Sequence, residues 1–118
     1  MHGETAEAMD ADGVRLLEAD GKGRKLAKCL NDADPAVRRA AAEALGRLRA
    51  GAAIVGLTER LALDDDPLVR AAAADALGQI GGAAVRLHAG PRLSRSAYDD
   101  PDPSVRTSAA DALVRIRR

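Results

Sequence analysis

Few side chains in this 118-residue chain have the chemistry of a reaction centre. There are two histidines, His2 and His88, and one cysteine, Cys29. A zinc or di-iron site needs several nitrogen, sulfur or carboxylate ligands at close spacing. No His-x-x-His, His-Glu pair or second cysteine occurs, so no such metal is expected. Cys29 is the one candidate nucleophile. It stands among apolar neighbours, Leu26 and Leu30, with no histidine nearby, and reads as a filler of the core. Ser94 and Ser96 have no base or orienting acid at a recognisable spacing, and Gly81-Gly82 reads as a turn, not a phosphate-cradling loop. Three acidic stretches, Asp32/Asp34, Asp64–Asp66 and Asp99/Asp100/Asp102, have the oxygen ligands that calcium favours. They lack the twelve-residue loop with its central Gly and distal Glu, and each runs into a proline that begins a helix. Helix capping is the chemistry expected of them. The chain reads as non-catalytic and without a cofactor.

The elements that carry those acidic stretches come as a repeat. Asp64 to Gly81 (DDDPLVRAAAADALGQIG) matches both Asp32 to Arg49 and Asp100 to Arg117 at 11 of 18 positions, and nine positions are common to all three. A unit of this size repeated at 32 to 36 residues is the signature of a solenoid. Each copy has the grammar of one helix. Asp34, Asp66 and Asp102 are N-caps, whose carboxylates accept the unpaired N–H groups of the first turn. Pro35, Pro67 and Pro103 follow at the first helical position, where no N–H is needed. Val37, Ala40 or Ala41, Ala44, Leu45 and Leu48 then recur at steps of three and four, and so do Val69, Ala73, Ala76, Leu77 and Ile80, and Val105, Ala109, Ala112, Leu113 and Ile116. Such a stripe cannot be buried by one helix alone and requires stacked neighbours.

A first helix is expected before each signature helix. Leu26, Cys29 and Leu30 form one face of a short helix from Arg24, and Ala52 to Leu63, with Ile54, Val55, Leu57 and Leu61, forms the second. Gly51 is expected to punctuate the end of the first signature helix, which runs to about Arg49. The third is irregular: four extra residues and Gly90-Pro91 predict a helix over Ala83 to Ala89, a break, and a turn or loop through Leu93 to Tyr98. Residues 1–21 carry a net charge of −5 and read as a loosely ordered acidic leader, with a degenerate N-terminal cap as the alternative (Asp10 to Arg15, DADGVR, is a faded copy of the repeat's opening). The expected organisation is this leader followed by three repeats, 22–50, 51–81 and 82–118.

Bulk properties narrow the classes further. The 18 basic and 18 acidic residues cancel, and one Tyr is the whole aromatic complement, so the core must be aliphatic. A zero net charge and almost no stacking side chains argue against nucleic acid, although Arg86, Arg92 and Arg95 lie near Tyr98, and Arg115, Arg117 and Arg118 lie near the C-terminus. No apolar run is long enough to span a membrane, residues 1–20 do not read as a signal peptide, and a lone cysteine suits a reducing compartment; a cytoplasmic protein is expected.

The run D-x-D-P-x-V-R-x-x-A-A-x-A-L-G resembles the HEAT-like repeats named for phycobilisome (PBS) lyases, over residues 24–118. The resemblance implies an all-α fold: a short right-handed α-solenoid of stacked antiparallel helix pairs, with the second helices lining a concave face. It further implies an Asp–Arg ladder, with Asp34, Asp66 and Asp102 as the turn aspartates and Arg38, Arg70 and Arg106 reaching acidic turns of the same or adjacent repeats. Under it, Cys29 as a bilin attachment point competes with its reading as core filler.

On the exposed side of the signature helices, equivalent positions form three rows. Arg39, Ala71 and Thr107 make the first, Glu43, Asp75 and Asp111 the second, and Arg47, Gln79 and Arg115 the third. The middle row is acidic in every copy. Glu43–Arg47 and Asp111–Arg115 are spaced as i,i+4 pairs, which contribute only about 0.3–0.5 kcal/mol each. The groove as a whole reads as a protein–protein interaction surface for a basic or amphipathic segment of an unidentified partner. A subunit of a bilin lyase or isomerase, holding a tetrapyrrole and its acceptor, is the alternative, and self-association or membership of a longer array is a third.

Overall fold

The computed structural model describes residues 8–117. Seven α-helices and one 3₁₀ turn, with no strand, make up these residues. They are α1 (Ala11–Ala19), α2 (Gly23–Cys29), α3 (Pro35–Arg47), the 3₁₀ turn Gly51–Ala53, α4 (Ile54–Leu63), α5 (Pro67–Ile80), α6 (Gly82–Asp99) and α7 (Pro103–Ile116). His2, Glu4, Glu7 and Arg118 lie outside the described residues.

The three signature helices start as the repeat grammar requires. The Asp34, Asp66 and Asp102 carboxylates accept from the backbone N–H of Ala36, Leu68 and Ser104 at 2.8–2.9 Å, each with proline in the first turn. The helices form two rows. α1, α3, α5 and α7 pack successively against one another, α4 packs on α6, and α2, α4 and α6 each pack on their signature partner α3, α5 and α7. Stacking in one direction draws the molecule out to 53 × 27 × 18 Å. The predicted stripes are its core: Val37, Ala41, Ala44, Leu45, Val69, Ala73, Ala76, Leu77, Val105, Ala109, Ala112 and Ile116 are all buried, with Leu26, Leu30, Leu57 and Leu61 from the first helices. Val55, expected on that stripe, is exposed.

Two glycines set the spacing of the signature row. A Cβ on Gly46 would lie 2.9 Å from Ala76 Cα, and one on Gly78 would lie 3.0 Å from Ala112 Cα. Backbone this close leaves no room for a methyl group. The equivalent position of the third copy is Val114, which is exposed.

Three expectations change. α6 is one continuous helix through Pro91, where a break was expected. Pro91 is exposed, and the carbonyl it leaves without a donor belongs to Leu87, itself 83% exposed, so the orphaned group faces water. The opposite side buries Val85, Ala89, Leu93 and Ser96, and this packing overrides the proline. The four extra residues therefore lengthen the helix instead of making a loop. α3 ends at Arg47 and is closed by Arg49, not Gly51: Arg49 takes φ 51°, and the Ala50 N–H returns to the Leu45 carbonyl at 3.0 Å, which closes the helix as glycine usually does. Gly51 instead opens the 3₁₀ turn. Finally, within the expected leader α1 is helical and packed, with Val14 buried against the core, while residues 1–7 of that segment lie outside the described residues. Glu18 accepts from Arg47 Nε and Nη2 at 2.6 and 2.7 Å, fastening α1 across α3.

Candidate functional site

The repeat motif builds two edges, and their chemistry differs. Along the turn edge, Arg38 Nε and Nη2 donate to the two carboxylate oxygens of Asp64 at 2.8 and 3.0 Å, and Arg70 does the same to Asp100 at 3.0 and 3.1 Å. Each arginine is also held by its own turn, Arg38 through the Asp32 and Ala33 carbonyls and Arg70 through the Asp64 carbonyl. The ladder thus runs from each repeat to the next. Its carboxylates are Asp64 and Asp100, two residues before Asp66 and Asp102, because those two, like Asp34, are committed to their helix N-termini. Asp64 and Asp100 further accept from the N–H of Asp66 and Asp102, so turn, cap and ladder share one hydrogen-bond network.

These rungs are shielded from water. The Asp64 and Asp100 side chains are 0% and 4% exposed. Burial alone would raise the Asp64 carboxyl, but the hydrogen bonds from Arg38 and Asp66 and the charges of Arg38 and Arg60 hold it below the usual carboxylate range. Burial likewise opposes ionisation of Asp100, and Arg70, Asp102 and Arg92 overcome it. The Arg38 and Arg70 guanidiniums are raised in turn, first by their hydrogen bonds to these carboxylates. This edge is structural chemistry: its Arg–Asp rungs are satisfied internally as far as Asp100, with only the buried Nε of Arg60 beside Asp64 lacking a partner among the described residues.

The other edge is the exposed side of α3, α5 and α7, and its rows are brought side by side. Between α3 and α5, Arg39 and Glu43 line a 390 Å³ depression with Asp66 and Leu68, and Arg39 Nε pairs with Glu43 at 3.3 Å. Between α5 and α7, Asp75, Gln79, Asp111, Ala112 and Arg115 line a smaller one of 230 Å³. At the helix C-termini, Arg47, Arg49, Gln79 and Arg115 surround 510 Å³ of space floored by Gly46 and Gly78. The expected Glu43–Arg47 pair is not made: Glu43 turns to Arg39 and Arg47 to Glu18. Arg115 makes no ion pair with Asp111 within 4.0 Å; its charge acts on Asp75 instead. Thr107 is exposed at the start of α7, away from these depressions.

Asp75 is the electrostatic centre of this face. Although its side chain reaches solvent, the flanking helices crowd its carboxylate, and that desolvation raises its pKa. Repulsion from Asp111 and Glu43 adds to the shift, while Ser108 and Arg115 oppose it. The acidic row is therefore under-compensated: its central anion is ionised at a cost that a cation supplied from outside would relieve.

The remaining candidates find bland roles. Cys29 is buried, and burial with the nearby Asp32 charge raises its thiol pKa, which disfavours the thiolate. Arg86 donates to the Ile116 carbonyl, Arg92 to Ser96 Oγ, and Arg95 lies 3.9 Å from Asp99, so the basic cluster is turned onto the protein. No described helix is long and apolar enough to cross a membrane.

Residues 23–114 match the family model for HEAT repeats. The chain belongs to the HEAT-repeat family. The match takes in the three helix pairs up to Val114 and leaves α1, which opens on only a faded copy of the repeat motif, outside. No curated protein matches the chain. HEAT repeats commonly bind protein partners, and the two-row arrangement leaves one long face of the signature helices exposed.

Proposed function

We propose that this HEAT-repeat chain is a non-catalytic interaction module whose α3–α5–α7 face holds a basic or amphipathic segment of a partner protein. The observation that carries the reading is the row Glu43–Asp75–Asp111, acidic in every copy and carried by three consecutively packed helices. The raised pKa of Asp75 supports it, since a lysine or arginine from a partner would relieve the repulsion there. Arg39, Arg47, Gln79, Thr107 and Arg115 would border the bound segment. Shape presentation is the mechanism: the rigid stack holds three carboxylates at fixed spacing, so a helix with cations at matching positions binds without ordering cost on the module's side. A cytoplasmic setting belongs to the same reading.

Titration of a fluorescein-labelled, lysine-rich amphipathic peptide, followed by anisotropy, tests it. Changing Glu43, Asp75 and Asp111 together to Lys should weaken binding by about tenfold or more, with helicity retained. Equal binding by both proteins would count against the acidic row. The bilin-lyase alternative rests on the PBS-lyase character of the repeat motif and is separated by adding a free bilin: a shifted visible band would favour it.

A further inference from the structure

The turn-edge ladder has a third arginine whose rung is open. Arg106 occupies the position of Arg38 and Arg70, and its Nη1 donates to the Asp100 carbonyl at 2.7 Å, as Arg70 Nη1 donates to the Asp64 carbonyl at 2.9 Å. The anchoring is the same, but among the described residues no carboxylate meets the Nε and Nη2 of Arg106. At Arg38 and Arg70 those two atoms are the ones that grip an aspartate with both oxygens. The cavity around the inner rung shows what is missing. Ala62, Asp64 and Arg70 line one side of a 400 Å³ space, and the other side is the acidic turn Asp99–Pro101 with Arg92 and Arg95. By the 36-residue repeat offset, Tyr98, Asp100 and Arg106 form the first side again, with nothing described opposite.

From this half-cavity we infer a second, carboxylate-binding site at the α6–α7 end of the molecule, built on Arg106, which docks an aspartate-bearing turn of a partner protein. Charge and shape both define the occupant. A guanidinium fork fixed by a backbone carbonyl prefers a planar carboxylate gripped by both oxygens. Two such carboxylates, each on an acidic turn that opens a helix, already occupy its copies in this chain. Around the fork the surface departs from the inner repeats in the way an interface requires. Tyr98, 84% exposed, stands where Ala62 stands, and Val114, 55% exposed, stands where Gly78 stands. Val114 bars a helix from stacking on α7 as closely as α7 stacks on α5, so the partner meets this end at a wider spacing, over the Tyr98 and Val114 side chains. Aromatic and arginine anchors together are the usual strong points of protein interfaces. The site is separate from the acidic face, whose residues contribute nothing to it.

Side-chain NMR of the whole chain reads the site directly. The probe is a blocked peptide with the chain's own Leu63–Leu68 sequence, LDDDPL, added while the arginine Nε–H signals are followed. The Arg106 signal should move saturably, with Arg70, already occupied, left in place. Replacing the peptide's first Asp with Asn should weaken the response by about tenfold, since it removes a charge-assisted pair. In Arg106→Lys, which keeps the charge but not the fork, the backbone amide signals of residues 98–106, followed in the same titration, should no longer show the saturable shift seen in the wild type. An Arg106 signal that stays put, or that drifts only as exposed Arg95 and Arg117 do, would overturn the site. Sedimentation of the chain alone provides a second arm: self-association lost in Arg106→Lys would overturn the assignment to a separate partner and give the site to a second copy.

Discussion

Asp64 and Asp75 carry the same carboxyl group and respond to the fold in opposite senses. Asp64 is buried, yet Arg38 and the Asp66 N–H favour its anion; Asp75 is crowded by α5's neighbours and by two like charges, which disfavour it. The linkage signs follow. A carboxyl raised in the folded state favours folding at low pH and loses that contribution as pH rises through its folded pKa, so ionised Asp75 weakens the fold at pH 7. Asp75→Asn should therefore raise the thermal midpoint at pH 7, with the gain shrinking as pH falls through the raised pKa; a lowered midpoint would contradict the crowding. Removing Arg38 has a different consequence, because it takes the two-point partner from the buried Asp64 and leaves only Arg60 Nη1 at 3.4 Å. Arg38→Ala should cost roughly 3 kcal/mol in urea denaturation, the low end of the scale for breaking a buried ion pair. Asp34→Ala removes only a solvent-facing cap and should cost about 1 kcal/mol. Both aspartates of each D-x-D-P unit were legible as acidic turn residues. Capping by Asp34, Asp66 and Asp102 was legible too, but pairing by Asp64 and Asp100 was not, since only the stacking of the next repeat brings those carboxylates to Arg38 and Arg70.

At the scale of the helix, the stack is controlled by where a Cβ is absent. Gly78→Ala improves helix propensity by up to about 1 kcal/mol but drives a methyl group into the Ala112 backbone. Overpacking of this kind costs ~1–3 kcal/mol, and here backbone, which cannot swing aside, receives it. The variant should be less stable than wild type by chemical denaturation, and so should Gly46→Ala. Arg49 is the converse case. Its left-handed conformation is one glycine adopts freely, so Arg49→Gly should stabilise the chain by roughly 1 kcal/mol. The periodic helices α3, α5 and α7 were readable because cap, proline and apolar stripe agree with one another. α6 was misread because proline is a strong local signal, whereas the burial of Val85, Ala89 and Leu93 that outweighs it comes from α4 and α7. α1 was underestimated for a related reason: nine residues hold little helical preference alone, and it is the surface of α3 with the Glu18–Arg47 pair that fixes them.

Taken whole, the molecule is a stack riveted along one edge by buried Arg–Asp rungs, and its other edge carries an acidic row in which Arg39 pairs with Glu43 but the central Asp75 keeps a raised pKa. The rungs make the stack acid-sensitive. Asp64 and Asp100 have folded-state pKa values below those of an unfolded chain, so their contribution is present above the unfolded value of about 3.9 and is lost as pH falls below it. Helicity followed by circular dichroism should show thermal stability declining from about pH 5 downward. The Asp64→Asn, Asp100→Asn double variant should be less stable at pH 7 and show a shallower decline. The three-row surface was legible as positions, but its electrostatics were not, because Arg47 leaves Glu43 for Glu18 only once α1 is in place. The role proposed for this acidic row is recognition by a partner. Its most direct test is affinity capture from native lysate with the wild-type chain beside the variant carrying Lys at positions 43, 75 and 111, both verified as helical. A protein should be retained by the wild type and lost by the variant; equal retention by the two would contradict recognition through the acidic row.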